Sequence, residues 1–356
     1  MTLDIQGLRQ HWPMPTSPKP IVVFGAGSIV NDGHLPAYEN AGFSVAGIYD
    51  LDKSRAEAVA KRWGVARVYE TLDEAVSEAG AVFDLATPPN AHPAILERLP
   101  AGSAVLIQKP MGSDLDSASK LLGICRERNL LAAVNFQLRF SSMMLALRSA
   151  VEKGYLGRVL DVEAQMNYFT PWHLFPFLNG LPRIEIAMHS IHYLDIIRSL
   201  VGNPVGVAAR TMAHPSSDLA QTRTSAILDF GNDVRCTMSV NHNHNFGRKY
   251  QMAQLKIEGD KGAAVAKIGV MLDYPHGEPD ELWIGQRGSG EWIQVPLTGT
   301  WYPDAFAGRM ANLQRVVRGE DDTLEASVED AWYTMALVEA CYQSSTMPLT
   351  PIAVRP

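Results

Sequence analysis

Cysteine is scarce in this chain. There are three, Cys125, Cys236 and Cys341. They are far apart, odd in number and form no CxxC pair, which excludes a disulfide framework and a structural zinc site. We expect no metal. No apolar run approaches the roughly 20 residues a membrane span needs, and none of the charge is gathered into a Lys/Arg-rich run. With a formal net charge of -7, broad binding to a phosphate backbone is excluded, so neither nucleic acid nor membrane is an expected partner. The N-terminus carries Asp4, Gln6, Arg9 and Gln10 where a signal peptide would need an apolar stretch. These absences predict a soluble, cytoplasmic protein of a reducing compartment.

What is present is a globular composition, 46% hydrophobic and 19% charged over 356 residues. That length suits two domains, each with its own core. Residues 1–19 read as an N-terminal extension, proline-rich from Trp12 to Pro18, that either covers a neighbouring subunit or is mobile. From residue 20 to 140, short apolar strands alternate with helical patterns. The strands are Ile21–Phe24, Val45–Tyr49, Val82–Ala86, Ala104–Ile107 and Leu131–Phe136. Ser54 is the expected N-cap of a helix to Trp63, His92–Leu99 reads as another helix, and Asp114 caps a third to about Arg128. This alternation predicts an α/β domain with a parallel sheet covered on both faces. From 141 to 356 the texture changes. A long strand, Val159–Tyr168, is followed by a loop rich in proline and aromatics and a helix from about Glu185 to Leu200. Strands follow to about Val295, with Gly231-Asn232 and Gly259-Asp260 as turns, and helices return at Asp304–Val317 and Ser327–Ser344. This predicts an α+β domain with a large, mostly antiparallel, open-faced sheet.

The first strand runs into Gly25-Ala26-Gly27-Ser28-Ile29-Val30. The two glycines allow a tight turn and close approach to a pyrophosphate, and the following helix offers its N-terminal N–H groups to phosphate. Val30 departs from the Gly or Ala expected at the third position. Asp50 ends the second strand about 20 residues on, where it would accept the ribose hydroxyls. A carboxylate there repels a 2′-phosphate, so NAD is favoured over NADP, while Lys53 and Arg55 nearby soften that preference.

Several pieces in order, "GAGSIVNDGHLPAY", "DLATPPNAHPAIL", "QKPM", "NFQLRF", "GYLGRVLDV" and "HSIHYLD", together resemble the glucose–fructose oxidoreductase/inositol dehydrogenase (Gfo/Idh/MocA) family. The resemblance covers nearly everything after residue 19. It implies an N-terminal Rossmann domain and a C-terminal substrate and oligomerisation domain, an NAD(P) cofactor, and a homodimer or homotetramer. It sets Thr87, Pro88, Asn90 and His92 beside the cofactor with Gln108 and Lys109, and makes Lys109 and His192 the catalytic pair. Two departures matter: Gln108 stands where the family has Glu before the lysine, and Met188 where members commonly have Asp four residues before the histidine.

Hydride transfer from an alcohol needs a base for the hydroxyl proton and a group that orients the developing alkoxide. His192, with a pKa near neutrality, suits the first role. Lys109 suits the second, and its charge helps keep His192 neutral. Glu185, His189 and His192 share a helical sector. A metal site, a substrate-binding His189 and a structural Glu185–His189 pair all remain open. Trp172, His173 and Arg183 are candidate substrate residues, as is Gln137, with core packing of the loop as the alternative. Arg139 reads as an ion-pair residue, and His242 and His244 as sheet-surface histidines. The leading function is an NAD-dependent dehydrogenase acting on a secondary alcohol of a polyhydroxylated small molecule: a sugar, sugar derivative or cyclitol. A redox-neutral NAD-dependent glycosidase or lyase and a non-catalytic sugar or dinucleotide sensor are the alternatives.

Overall fold

The computed structural model describes residues 3–231, 233–274 and 276–353; Asn232, half of one expected turn, lies outside them. The first sheet is parallel and five-stranded. It comprises β1 (Ile21–Phe24), β2 (Val45–Tyr49), β3 (Val82–Leu85), β4 (Ala104–Ile107) and β5 (Leu131–Val134), in the order β2-β1-β3-β4-β5. Strands β1, β3 and β4 are buried at every position, which is why they read as short apolar runs without alternation. The carboxyl ends of the five strands lead directly into Gly25, Asp50, Ala86-Thr87, Gln108-Lys109 and Asn135–Gln137. Parallel strands put these turns on one edge, where ligands bind in such sheets.

The second sheet has eight strands: β6 (Val159–Asn167), β7 (Gly206–Met212), β8 (Arg223–Asp229), β9 (Arg235–Asn241), β10 (Met252–Gly259), β11 (Gly262–Lys267), β12 (Glu281–Gln286) and β13 (Trp292–Val295). Their order is β13-β12-β11-β10-β6-β9-β8-β7, antiparallel except for β6 beside β9. Side chains alternate between faces with period two. In β9, Cys236, Met238 and Val240 point into the core, while Arg235, Thr237 and Ser239 point out. The helix Ile191–Val201 lies on the inner face.

Four expectations need correction. The extension is tied to its own chain: Leu8 is buried in the core, Trp12 Nε1–H donates to Asp321 at 2.8 Å, and Gln10 donates to the Pro296 carbonyl at 2.8 Å. Asp52, not Ser54, caps the helix Lys53–Trp63, because its carboxylate accepts the Arg55 N–H. The helix Ser142–Glu152 was missed. Its residues Ser142–Leu147 are all buried, so no polar face marks a helical period. The helix Ala305–Val317, though late in the chain, adds Met310, Ala311 and Leu313 to the core formed by Ile21, Val23 and Leu106 of the first sheet.

The three cysteines are free and buried. Among the described residues no helix is long and apolar enough to cross a membrane, and no group of His, Cys, Asp and Glu is arranged to hold a metal ion.

Candidate active site

Gly25 has φ +103, and a Cβ on it would meet the Ala86 carbonyl oxygen at 2.6 Å. Only glycine fits where β1 turns beside β3. Gly27 is different, because nothing lies within 4 Å of where its Cβ would be. Its missing side chain opens onto a cleft of about 340 Å³ lined by Ala26, Gly27, Ser28, Asn31, Arg55 and Arg62. Arg55, Val59 and Arg62 are spaced three and four apart, so one helix face turns two cations toward the glycine turn. Arg62 was missed by the sequence reading, although that spacing signals it. Lys53 turns instead to Glu70, at 2.5 Å. Asp50 accepts the Ala26 N–H at 2.7 Å and the Asp52 N–H at 2.8 Å, so its carboxylate braces the glycine turn. The helix after the turn is π-helical over Val30–His34, and Val30 is fully buried.

These residues fit a dinucleotide: an open cradle at Gly27, two guanidinium groups beside it, and a buried Thr87 hydroxyl with no partner in the described structure. A side chain at position 27 would fill the cradle without straining the fold. Gly27→Val should therefore leave the melting temperature unchanged while weakening dinucleotide binding about 100-fold, equivalent to about 2.8 kcal/mol, measured by calorimetric titration. Pro88 and Asn90 are exposed at the mouth of the next turn. His92 is buried, and its Nε2 bonds the Thr87 carbonyl at 2.9 Å. Burial lowers its pKa to about 4, so a neutral imidazole supports this turn from beneath.

Gln108 is drawn inward. Tyr38 and His34 Nδ1 both meet Asp84 Oδ2, at 2.8 and 2.6 Å. With Nδ1 as donor, His34 Nε2 is left to accept the Gln108 amide at 3.1 Å. Gln108 Oε1 in turn accepts the Lys109 backbone N–H at 2.8 Å. A glutamate at 108 has no donor for His34 in this tautomer, so the amide is matched to it.

Lys109 reaches from the first domain to the second, where its Nζ donates to the Met188 carbonyl at 2.9 Å. Burial lowers its pKa to about 8. His192 is 7% exposed, set edge-on to Phe136 and Trp301, and its Nδ1 has no partner among the described residues. Burial first, and then the Lys109 charge, holds its pKa well below the ordinary imidazole value. Burial thus disfavours its charged form and takes it far from the near-neutral pKa expected. Gln137 is buried, and its Oε1 has no partner among the described residues. Arg139 forms the expected ion pair, two bonds of 2.6 Å to Asp195.

The segment Glu185–Ser190 is π-helical. In such a turn i and i+5 face one another, and the Ser190 hydroxyl donates to Glu185 Oε1 at 2.6 Å. The structural Glu185–His189 pair, one of the three open readings, is therefore not formed. Its other partners are the Thr224 hydroxyl and His242 Nε2 at 3.4 Å. His242 also corrects the sequence reading, since it is fully buried. It continues the inward parity of Cys236, Met238 and Val240, a signal legible in the sequence. Its Nδ1 meets the Thr170 hydroxyl at 2.8 Å, and its ring packs on His189 and Trp172 at 4.7 and 5.1 Å. His244 bonds Asn167 at 3.2 Å. Trp172 lies 5.2 Å from the His189 ring, whereas His173 is exposed. Arg183 is engaged elsewhere, paired with Glu339 at 2.6 Å and set over the Tyr342 ring, so the substrate role considered for it has no support here.

A nucleotide cradle on a parallel sheet, with a half-buried lysine at the end of another strand of that sheet and a buried histidine on the second domain, defines a dinucleotide-dependent oxidoreductase. The chain belongs to the Gfo/Idh/MocA oxidoreductase family, matching its NAD-binding Rossmann fold over residues 19–136 and its C-terminal alpha/beta domain over residues 148–349. It is 25% identical to inositol 2-dehydrogenase of Rhizobium meliloti, over 90% of this chain and 95% of that protein. It is 24% identical to D-apiose dehydrogenase of Rhizobium rhizogenes, over 85% of this chain and 88% of that protein. An Agrobacterium radiobacter oxidoreductase, solved with NAD+, L-tartaric acid and magnesium, superposes with a TM-score of 0.76 at 22% identity, covering 92% of this chain and 96% of that one.

Proposed function

We propose that this protein is an NAD-dependent dehydrogenase that oxidises a secondary alcohol of a sugar, sugar derivative or cyclitol. The observation that carries the proposal is the pairing of Lys109, held on the Met188 carbonyl, with the neutral His192, whose Nδ1 has no partner among the described residues. Gly25, Gly27, Ser28, Ile29, Asp50 and Thr87 would hold the dinucleotide, with Pro88 and Asn90 at the rim and His92 and Gln108 supporting the turns beneath. When bound, NAD supplies the hydride acceptor. His192 takes the hydroxyl proton as the substrate carbon becomes a carbonyl. Lys109, as an ammonium, orients the hydroxyl oxygen and stabilises its developing charge. His189, Trp172 and Gln137 line the substrate side, and His173 reaches it only from the rim. The named substrates of the relatives, inositol and apiose, are polyols, which agrees with this donor-rich lining.

The test is absorbance at the reduced-nicotinamide band with NAD or NADP and a panel of sugars, sugar acids and cyclitols. A substrate-dependent rise with NAD, lost in Lys109→Ala, is the expected result; tight dinucleotide binding with no rise on any member would overturn the reading.

Its pH dependence follows from the two shifted groups. Lys109 is charged below about 8 and loses its proton above it, so oxidation should decline as pH rises through about 8. His192 stays neutral to well below the ordinary imidazole range, so no acid limb should appear near 6.5. In Lys109→Arg, the residual activity should lose the alkaline limb, because a guanidinium keeps its charge. A pH profile of kcat/KM checks both.

We further propose that a second copy covers the outer face of the large sheet in a homodimer or homotetramer. Ile227 is 58% and Met252 40% exposed on that face, which favours burial on association. Light scattering should give a multiple of the 39.0 kDa chain mass; a monodisperse monomer would sink this proposal.

A further inference from the structure

The cleft carries a cation with no anion to match. Among the described residues, the polar contact of the Lys109 ammonium is one carbonyl, that of Met188, and no carboxylate pairs with it. An ammonium has three donors, so two remain. Both positions where the resembled family carries acid beside this lysine are neutral here, Gln108 and Met188. The one acid of the neighbouring cluster, Glu185, is fully buried and taken up by Ser190, Thr224 and His242. Beside His189 and His192 stand further donors with no acceptor among the described residues. Trp172 Nε1 and Trp301 Nε1 are buried N–H groups with no partner in the described structure. Trp301 is 7% exposed and 5.5 Å from the His192 ring, while Trp172 packs against His189. An indole N–H can only donate, and a buried donor left unpaired costs about 1–3 kcal/mol. A buried charge needs a partner still more.

We propose that the substrate brings the missing anion: it is a polyhydroxylated acid, of the aldonate or uronate class, whose carboxylate takes one of the two remaining Lys109 donors together with the Trp172 N–H and His189, the other donor staying on the reacting hydroxyl. This rests on the dehydrogenase reading and narrows it. A neutral polyol can satisfy the indoles through its hydroxyl oxygens but leaves the lysine charge without an anion, whereas an acid introduced at 188 would put a carboxylate on the residue whose carbonyl already holds the lysine.

The experiment compares matched pairs, gluconate and glucuronate against glucose, and galactonate against galactose, with the NAD-loaded protein. Reduced nicotinamide reports turnover, and quenching of tryptophan fluorescence reports binding. The expected result is at least a 100-fold preference in kcat/KM for the acids, with the same order in binding. Met188→Asp should cut that preference at least tenfold, whereas Met188→Asn, of similar size and uncharged, should keep it. Turnover of neutral sugars as fast as their acids overturns the acid proposal and leaves the dehydrogenase standing. Acids that bind but yield no reduced nicotinamide overturn the dehydrogenase reading and leave the charge match. Binding of neither, or a preference unmoved by Met188→Asp, overturns the proposal.

Discussion

Replacing His192 with asparagine should lower kcat by about 10²–10⁴-fold, the range over which a positioned acid–base group contributes. It should leave dinucleotide affinity nearly unchanged. Asparagine keeps a polar side chain near the cleft but cannot take the hydroxyl proton. The imidazole is suited to do so because it is held neutral by burial and by Lys109, and because Nδ1 is not spent on the protein. The cofactor cradle lies on turns of the first sheet, whereas His192 belongs to the helix Ile191–Val201 beneath the second, which separates the two effects. Steady-state kinetics beside calorimetric titration of NAD checks the split. A kcat within threefold of the unmodified protein would remove His192 from the proton-transfer role.

Arg139→Ala should destabilise the fold by about 3–5 kcal/mol, the cost of removing one partner from a buried ion pair. Arg139 follows the last strand of the first sheet. It reaches Asp195 on the cleft helix with two 2.6 Å bonds and Asp330 on the helix Val328–Thr346 at 2.8 Å. Asp195 is 1% exposed, and the remaining Thr334 hydroxyl, at 2.9 Å, cannot neutralise it. Arg198 holds Asp330 and Thr334, and among the described residues no cation other than Arg139 bonds Asp195 directly. Arg139→Lys should recover part of the loss, because an ammonium keeps the charge without the two-pronged geometry. Urea midpoints of the two variants and the unmodified protein measure both effects. Because Asp195 is three residues after His192, the loosened helix should also lower activity in the folded fraction.

The two ends of the glycine turn show how much was legible. Gly25, Gly27 and Asp50 were readable because they obey local rules: a strand, a tight turn and a carboxylate at a set separation. The five strands of the first sheet were equally plain, since burial on both faces leaves an apolar run. The helix Ser142–Glu152 was hidden because burial on nearly every side erases the period that marks a helix. Gln108 was read as a cofactor ligand, but its partner His34 is 74 residues away, and nothing local indicates that contact. His242 carries its inward parity in the sequence, two residues after Val240 on the face that also holds Cys236 and Met238.

Chain-local rules fix the class of the molecule: a parallel nucleotide-binding sheet, a larger antiparallel sheet, and a lysine and histidine on separate domains. These follow from periodicity, turn chemistry and ordered motifs, which act within a few residues of chain. Tertiary structure alone decided where the charges balance. It turned Arg183 to Glu339, Glu185 to Ser190 and His242, and Gln108 to His34, leaving Lys109 without an acid partner among the described residues. The reason is physical: burial cost and hydrogen-bond satisfaction depend on which groups meet in space, and those partners come from distant parts of the chain.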